Sequence, residues 1–508
     1  MHRFAAAPLV FALLGLLVLP AVAAAQPAEL RGIDAYVERA MRDWEVPGLA
    51  IAVVKDDRIV FARGYGVREI GRPERVDENT VFAIASITKS FTSAAVGMLV
   101  DEGRVAWDDP VTSHLPSFQL SDPWVTRNFT VRDLLSHRSG LERGDWLWFG
   151  TPYSRDEVVA HLRYLEPVAP FRGAYGYSNN MYITAGQMIA AVTGRSWDDV
   201  VTDRIFRPLG MTRSNTSVLQ LPSLENVAIP HEKVNGTVRT VPHGNLDNEG
   251  PGGSINSSVA QMAQWIRLQL GDGAVEGSRL LSPASLRVTQ TPHTIIHFDD
   301  REASLWPNVN FMHYGMGWRI QDYRGQRLLH HGGAFDGMRS HLAMLPAEGL
   351  GVVILTNLGR GHDLHGALRN WVLDAFLGER GRDWSREYLT HVRENEARWE
   401  EGERSWDAAR VDGTRPSLAL ARYAGSYTDP GFGTATVRHD SVSGLSVTLG
   451  PRHTGRLEHW HYDTFIAYWD DPTLGRSALT FPVDALGNVR EMEVRGLRTY
   501  RRDDASPE

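Results

Sequence analysis

Residues 82–91 read FAIASITKSF, and this stretch decides how the rest of the sequence is interpreted. From Ser86 to Glu102 apolar residues recur at helical spacing and Gly103 follows, which predicts a helix with Ser86 and Lys89 on its first turn. A hydroxyl and an amine three residues apart share one helical face, so the amine can accept the hydroxyl proton. Ser86 is therefore a candidate nucleophile and Lys89 a candidate base.

Lysine usage strengthens the assignment of Lys89. The chain has lysine only at positions 55, 89 and 233, against 50 arginines, so its surface positive charge comes almost entirely from arginine. Arginine does not give up its proton in a protein, whereas a buried lysine can. A base at this place must therefore be lysine, while an ordinary surface lysine is the better interpretation of Lys55 in a polar hairpin turn.

Tyr177-Ser178-Asn179 opens a second helical run, residues 181–192. A tyrosine and an amide two residues apart can reach one pocket, where the phenol of Tyr177 relays a proton and the amide of Asn179 holds a substrate carbonyl.

His330-His331-Gly332-Gly333 is expected to form a loop just before a strand. Glycines there let a substrate lie against the strand edge. The backbone N–H that follows them, at Ala334, can serve as half of an oxyanion hole.

These elements, taken in order, resemble the serine β-lactamase and penicillin-binding protein superfamily, in particular the branch of class C β-lactamases, D-aminopeptidases and family VIII carboxylesterases. The matching segments are residues 82–91, 134–141 (LLSHRSGL), 177–179, 252–258 and 331–333. The resemblance implies an α/β sandwich with an antiparallel sheet and a helical subdomain, the site lying between them. It implies Ser86, Lys89 and Tyr177 as catalytic residues, with Asn179, His331, Gly333 and Ala334 binding substrate.

The chain is expected to divide into four parts. Residues 1–25 have the layout of a secretory signal peptide, with an uncleaved membrane anchor as the alternative. Residues 26–378 are expected to form the hydrolase domain, 379–415 a charged helix and linker, and 416–505 a small antiparallel β domain that resembles the lipocalin-like domain of peptidase-like members.

One departure from the superfamily bears on the substrate. His331-Gly332-Gly333 stands where β-lactamases have Lys-Thr-Gly, groups that commonly hold a β-lactam carboxylate. Esters, amides or D-amino-acid peptides are therefore expected as substrates, with a β-lactamase, a D-amino-acid peptidase or a penicillin-binding sensor without turnover as alternatives. Protonation of His331 near about pH 6 is expected to restore part of the lost charge.

The remaining features limit partners and cofactors. A net charge of -8 without long like-charged blocks argues against nucleic acid, and the absence of cysteine removes disulfides and thiolate metal sites. His293 with His297, and His459 with His461, lack further metal ligands, so no metal or cofactor is expected. The expected partner is a small-molecule or peptide substrate, in a periplasmic or secreted protein without stable membrane insertion after signal removal; the sequence does not fix an oligomeric state.

An aromatic-rich loop contains Trp146, Trp148, Phe149 and Tyr153. It is interpreted either as the wall of a pocket for apolar substrate groups or as a locally packed loop.

Overall fold

The computed structural model of the chain describes residues 26–298, 303–306, 308–359 and 362–503. The expected signal peptide of residues 1–25 lies outside the described residues. The α-helices are α1 (Ile33–Trp44), α2 (Thr88–Asp101), α3 (Pro123–Asn128), α4 (Val131–Leu135), α5 (Arg155–His161), α6 (Asn179–Thr193), α7 (Trp197–Val201), α8 (Gly250–Gly253), α9 (Val259–Leu270), α10 (Pro283–Thr289), α11 (Leu364–Phe376) and α12 (Trp384–Ala408).

The strands fall into a large sheet, a barrel and short two-stranded ladders. In chain order they are β1 (Gly48–Lys55), β2 (Arg58–Gly66), β3 (Phe82–Ala83), β4 (His231–Val234), β5 (Thr237–Thr240), β6 (Asn256–Ser257), β7 (Ala274–Val275), β8 (Ser278–Arg279), β9 (Thr294–Ile295), β10 (Met312–Tyr314), β11 (Arg319–Tyr323), β12 (Gln326–Phe335), β13 (Met338–Leu345), β14 (Leu350–Thr356), β15 (Gly425–Asp429), β16 (Gly433–Asp440), β17 (Gly444–Thr448), β18 (Thr454–His461), β19 (Thr464–Trp469), β20 (Arg476–Thr480), β21 (Glu491–Val494) and β22 (Arg498–Arg502).

The large sheet has eight antiparallel strands in the order β2-β1-β14-β13-β12-β11-β10-β9. β1 and β14 lie side by side with Leu49 opposite Thr356, so the first and last parts of this sheet in the chain pair with each other near one of its edges. Both strands are apolar and buried along almost their whole length, as expected for strands that are covered on both faces.

Helices cover the two faces of the sheet. One face packs against α2 and α9, where Phe91 stacks on Trp265 with ring centroids 3.9 Å apart. The other face packs against α1, α11 and the beginning of α12. Ser86 and the beginning of α2 therefore lie between the sheet and the helical part of the domain.

The C-terminal part closes into an eight-stranded barrel, β15 to β22, in which β15 pairs with β22. Its interior is filled by aromatic rings, among them Tyr423, Phe465 and Phe481. Short alternating runs at residues 434–437, 445–449, 465–468, 478–483 and 489–494 predict only five of its strands. β15, β18 and β22 are missed because their exposed positions are largely polar or charged and dilute the apolar pattern.

The predicted fold class is confirmed: an antiparallel sheet with a helical part and a small C-terminal β domain. The loop predicted for residues 330–333 is wrong, because these residues lie within β12, an internal strand. The paired histidines and paired glycines do not give the apolar alternation typical of a strand. The strand is recognised only from its pairing with β13, which lies further along the chain. Among the described residues, no helix has the length and apolar character needed to cross a bilayer.

Candidate active site

Ser86 lies on a tight turn that leads into α2. Ala85 has a left-handed backbone (φ 45°), residues 85–87 form one 3-10 turn, and the α-helix begins at Thr88, two residues later than the sequence predicts. Ser86 is half-buried and Lys89 is fully buried. The Lys89 Nζ atom lies 3.3 Å from Ser86 Oγ, within reach of its proton.

The amine of Lys89 is held by surrounding backbone. It donates a hydrogen bond of 2.7 Å to the carbonyl of Gly252, in α8. Gly317, at φ 79°, lies so close to α2 that a Cβ atom there would come within 2.8 Å of the backbone of Lys89. The helix and the lysine are thus fixed from two sides.

The rings of Tyr177 and His137 pack against each other beside the lysine, tilted by 41°. The Nζ atom of Lys89 lies 4.9 Å from the centre of the Tyr177 ring, and the His137 ring lies 4.3 Å from that of Tyr177. His137 Nδ1 accepts a hydrogen bond from the backbone N–H of Ser178. Burial, and then the charge of Lys89, hold the pKa of His137 well below its usual value, so the ring is a neutral support for Tyr177.

Asn179 begins α6 and is buried. Its Nδ2 donates a hydrogen bond of 3.1 Å to Asp145, which fixes the orientation of the amide because a carboxylate only accepts. The amide oxygen has no hydrogen-bond partner among the described residues. One of the two N–H donors that were expected to hold a substrate carbonyl is therefore engaged, while the unpartnered oxygen can only accept.

β12 exposes one side of its backbone at the site. β11 pairs with it only as far as His330, opposite Arg319, while β13 continues to pair along the other side up to Phe335. Gly333 lies against the turn of the nucleophile, since a Cβ atom there would come within 2.2 Å of the carbonyl of Ile84. Ala334, which is exposed, follows on the same strand.

The structure does not support the predicted protonation of His331 at about pH 6. Burial, with the charges of Lys89 and Arg319, lowers the pKa of His331 to about 3. Its Nδ1 donates to the carbonyl of Gly332, and its Nε2 accepts from the hydroxyl of Tyr314 at 3.0 Å. Both ring nitrogens are engaged in the neutral form, so the expected protonation near pH 6 is wrong.

Two cavities border these residues. The larger, of about 730 Å³, is lined by Tyr177, His331 and Ala334 together with the guanidinium groups of Arg143 and Arg319. The smaller, of about 360 Å³, is lined by Ala334 and by three side chains of the aromatic loop, Trp146, Trp148 and Phe149.

The barrel touches the wall of the smaller cavity. The His453 ring lies 4.3 Å from that of Trp146, and the Arg452 guanidinium lies over Phe149. Arg452 also forms a 2.6 Å ion pair with Asp336, in the turn after β12. The aromatic loop is therefore packed both by its own domain and by the barrel.

Sequence reasoning missed Glu249, Tyr314 and Arg319. Arg319 lies on β11, which pairs with β12, and Tyr314 lies on β10, one strand further from β12; only the pairing of the sheet brings them to the site. Glu249 directly precedes the glycine-rich turn 250–253, which was the one available signal. Among the described residues, no group of three histidine or acidic side chains is arranged to hold a metal ion.

Two family models match parts of this chain. The family model for β-lactamases matches residues 33–375. The chain belongs to the β-lactamase family. A second family model, a domain of unknown function (DUF3471), matches residues 409–505, which include the barrel.

Relatives within the β-lactamase family include hydrolases and penicillin-binding proteins. The unguisins hydrolase ungD of Aspergillus violaceofuscus is 31% identical over 438 residues, 80% of this chain and 76% of the relative. Penicillin-binding protein 4 of Amycolatopsis lactamdurans is 32% identical over 327 residues, 62% of this chain and 81% of the relative.

Solved structures of β-lactamase-like proteins share the fold. The octameric penicillin-binding protein homologue from Pyrococcus abyssi aligns with a TM-score of 0.62 at 21% identity, over 93% of this chain and 99% of its own. A D-stereospecific amidohydrolase from Streptomyces sp. aligns with a TM-score of 0.55 at 24% identity, over 68% of this chain and 99% of its own. At these identities the likeness supports the fold alone.

Proposed function

We propose that this chain is an exported serine hydrolase that cleaves ester or amide bonds of small-molecule or peptide substrates through an acyl-enzyme on Ser86. The observation that carries the proposal is the 3.3 Å separation between Ser86 Oγ and the buried amine of Lys89. Membership of the β-lactamase family and the hydrolases among its relatives support hydrolysis. Export is inferred from the apolar run and the small residues that precede Gln26.

We assign a group of this chain to each step of the proposed reaction. Lys89 Nζ takes the proton of Ser86 as Oγ bonds to the acyl carbon, and backbone N–H groups of Ser86 and Ala334 stabilise the oxyanion. Tyr177 gives its proton to the leaving group as the acyl bond breaks, and regains one from Lys89 Nζ. Water then attacks the acyl carbon and gives a proton to Lys89 Nζ; the ester bond to Ser86 breaks, and Nζ returns the proton to Ser86 Oγ.

The expected choice of substrate follows from residues 331–333 on β12, where β-lactamases have Lys-Thr-Gly. His331 is neutral and Gly332 has no hydroxyl, so neither supplies the charge-assisted contact that holds a β-lactam carboxylate. We therefore expect short esters or small amides to be better substrates than penicillins and cephalosporins.

A substrate panel tests this proposal. It contains p-nitrophenyl esters, D- and L-amino-acid amides and a chromogenic cephalosporin, each assayed with the wild type and with Ser86→Ala. The proposal expects many turnovers per chain on an ester or amide, lost in Ser86→Ala, and labelling of Ser86 alone by a fluorophosphonate probe. Activity in Ser86→Ala at a tenth of wild type contradicts the nucleophile. A single equivalent of product would instead indicate a binding or sensing protein, and fastest turnover of the cephalosporin a β-lactamase.

A further inference from the structure

A buried carboxyl group lies behind the candidate base. Glu249 Oε1 is 3.8 Å from Lys89 Nζ, and the two side chains are 3% and 0% exposed. Among the described residues this is the only ion pair that Glu249 makes, and Oε1 has no hydrogen-bond partner there. A buried charge that is not hydrogen-bonded is costly, so the position is not explained by stability alone.

The turn that follows is shaped around this carboxyl group. A Cβ atom on Gly252 would lie 1.9 Å from Glu249 Oε1, and one on Gly253 would lie 2.2 Å from Oε2. The carbonyl of Gly252 also accepts the hydrogen bond from Lys89. The two glycines thus allow one short segment to contact the lysine amine with a backbone oxygen and a carboxylate together.

We propose that Glu249 is a positioning residue that strengthens Lys89 as the base; the inference rests on the proposed function. When the Ser86 proton moves to Lys89 and Oγ bonds to the acyl carbon, an ammonium forms 3.8 Å from the carboxylate, which stabilises its charge. The proton then passes from Nζ by way of Tyr177 to the leaving group as the acyl bond breaks. Glu249 itself forms no bond and loses no electrons.

The charge of Glu249 changes within the working range of such an enzyme. Burial raises the pKa of Glu249 to about 8, and the charge of Lys89 acts in the opposite direction. The other charged groups that face it are Asp145, Arg155 and Arg143, of which Arg155 is paired with Asp198 and Arg143 with Asp145. Glu249 is therefore neutral well below about pH 8, and as the pH rises through this value it becomes the carboxylate that can stabilise an ammonium at Lys89.

Glu249→Gln tests the inference because it keeps the shape of the side chain and removes its charge. In this variant no carboxylate forms beside Lys89 at any pH, so the ammonium that arises when Lys89 takes the Ser86 proton is not stabilised. We expect the ratio of wild-type kcat to Glu249→Gln kcat to rise from near one at about pH 6 to about tenfold at about pH 9, with KM little changed. The ratio of the rates at which a fluorophosphonate labels Ser86 should rise in the same way, without requiring turnover.

Glu249→Asp is the matched variant, because it keeps the charge at a greater distance. For Glu249→Asp the corresponding ratio of kcat values should stay within about threefold of one at about pH 9, below the ratio for Glu249→Gln. A ratio for Glu249→Gln that does not change with pH, or ratios that rise equally for both variants, would overturn the inference whatever happens to Tm. The comparison requires that the wild type shows turnover that depends on Ser86. If it shows none, the proposed function is wrong, and not this inference alone.

Discussion

Arg452 of the barrel forms an ion pair of 2.6 Å with Asp336, at the tip of the hairpin that carries His331, Gly333 and Ala334. The same guanidinium also binds Asp471 at 2.7 Å. The barrel is therefore attached to the strand that shapes the candidate oxyanion hole, and the strength of this attachment can be measured.

Replacing Arg452 with glutamine should affect both stability and catalysis. Its loss leaves Asp336 partly buried without its cation, at an expected cost of about 2 kcal/mol in the free energy of unfolding. We expect kcat/KM on an uncharged ester to fall roughly three- to tenfold, since looser substrate positioning lowers the rate. Denaturant unfolding and steady-state kinetics measure the two effects.

Arg456→Gln is the control for this variant. Arg456 pairs with Glu458 on the same barrel, but both side chains are more than half exposed, so its loss should cost less than about 1 kcal/mol. Equal effects of the two substitutions would contradict a special role for Arg452.

Gly333 and Gly332 should respond differently to alanine. A Cβ atom on Gly333 would lie 2.2 Å from the carbonyl of Ile84 and 2.3 Å from the hydroxyl of Ser340, which bond each other just before the nucleophile turn. On Gly332 the nearest atom would be 3.5 Å away. We expect Gly333→Ala to lower kcat by about a hundredfold or more, because a misplacement of about 1 Å has that cost. Gly332→Ala should stay within about threefold of wild type; equal losses would show that the clash is relieved elsewhere.

Lys89→Arg should be nearly as inactive as Lys89→Ala. Arginine keeps its charge and cannot accept the Ser86 proton, and its larger head must fit a site that is fully buried. The expected loss of kcat is at least about a thousandfold, measured on the best ester or amide of the panel. Full activity in the arginine variant would mean that position 89 supplies only positive charge.

The preference between a cephalosporin and an uncharged ester should not change with pH in mild acid. Since the pKa of His331 is lowered to about 3, the ring stays neutral between about pH 7.5 and about pH 5.5. The ratio of cephalosporin to uncharged-ester hydrolysis should therefore be constant across this range. Taking the ratio removes the pH dependence that the two reactions share. A threefold rise in this ratio toward pH 5.5 would contradict a neutral His331.

Stability should fall in mild acid. His137, His330, His331, His341, His362 and His365 are buried with lowered pKa values. Below their unfolded pKa of about 6.5 the unfolded chain binds protons that the folded chain does not, so protonation favours unfolding. We expect Tm to fall steadily from about pH 7 to about pH 5, before most carboxylates titrate. A flat Tm across that interval would mean that these histidines are charged in the folded state.

How far the sequence predicts the molecule depends on how local each feature is. The helix that follows Ser86 is predicted from short-range periodicity, and in the structure it begins within two residues of the predicted start. The tight turn at Ser86 itself, with its left-handed Ala85, is not predicted. The pairing of β1 with β14 and the strand character of residues 330–333 depend on partners far away in the chain. Likewise, only the folded chain shows that the hydroxyl of Tyr314 forms a hydrogen bond with His331 and that Glu249 lies close to Lys89.

The burial of Lys89 also determines how the protein can be handled chemically. Its side chain is fully enclosed, while the other two lysine side chains, Lys55 and Lys233, are 29% and 43% exposed. Amine-reactive dyes, biotin esters and immobilisation resins need an accessible amine, so among the lysines they will attach at Lys55 and Lys233. Lys55 lies at the β1–β2 turn and Lys233 on β4, so a lysine-coupled surface would hold the folded protein without modifying Lys89.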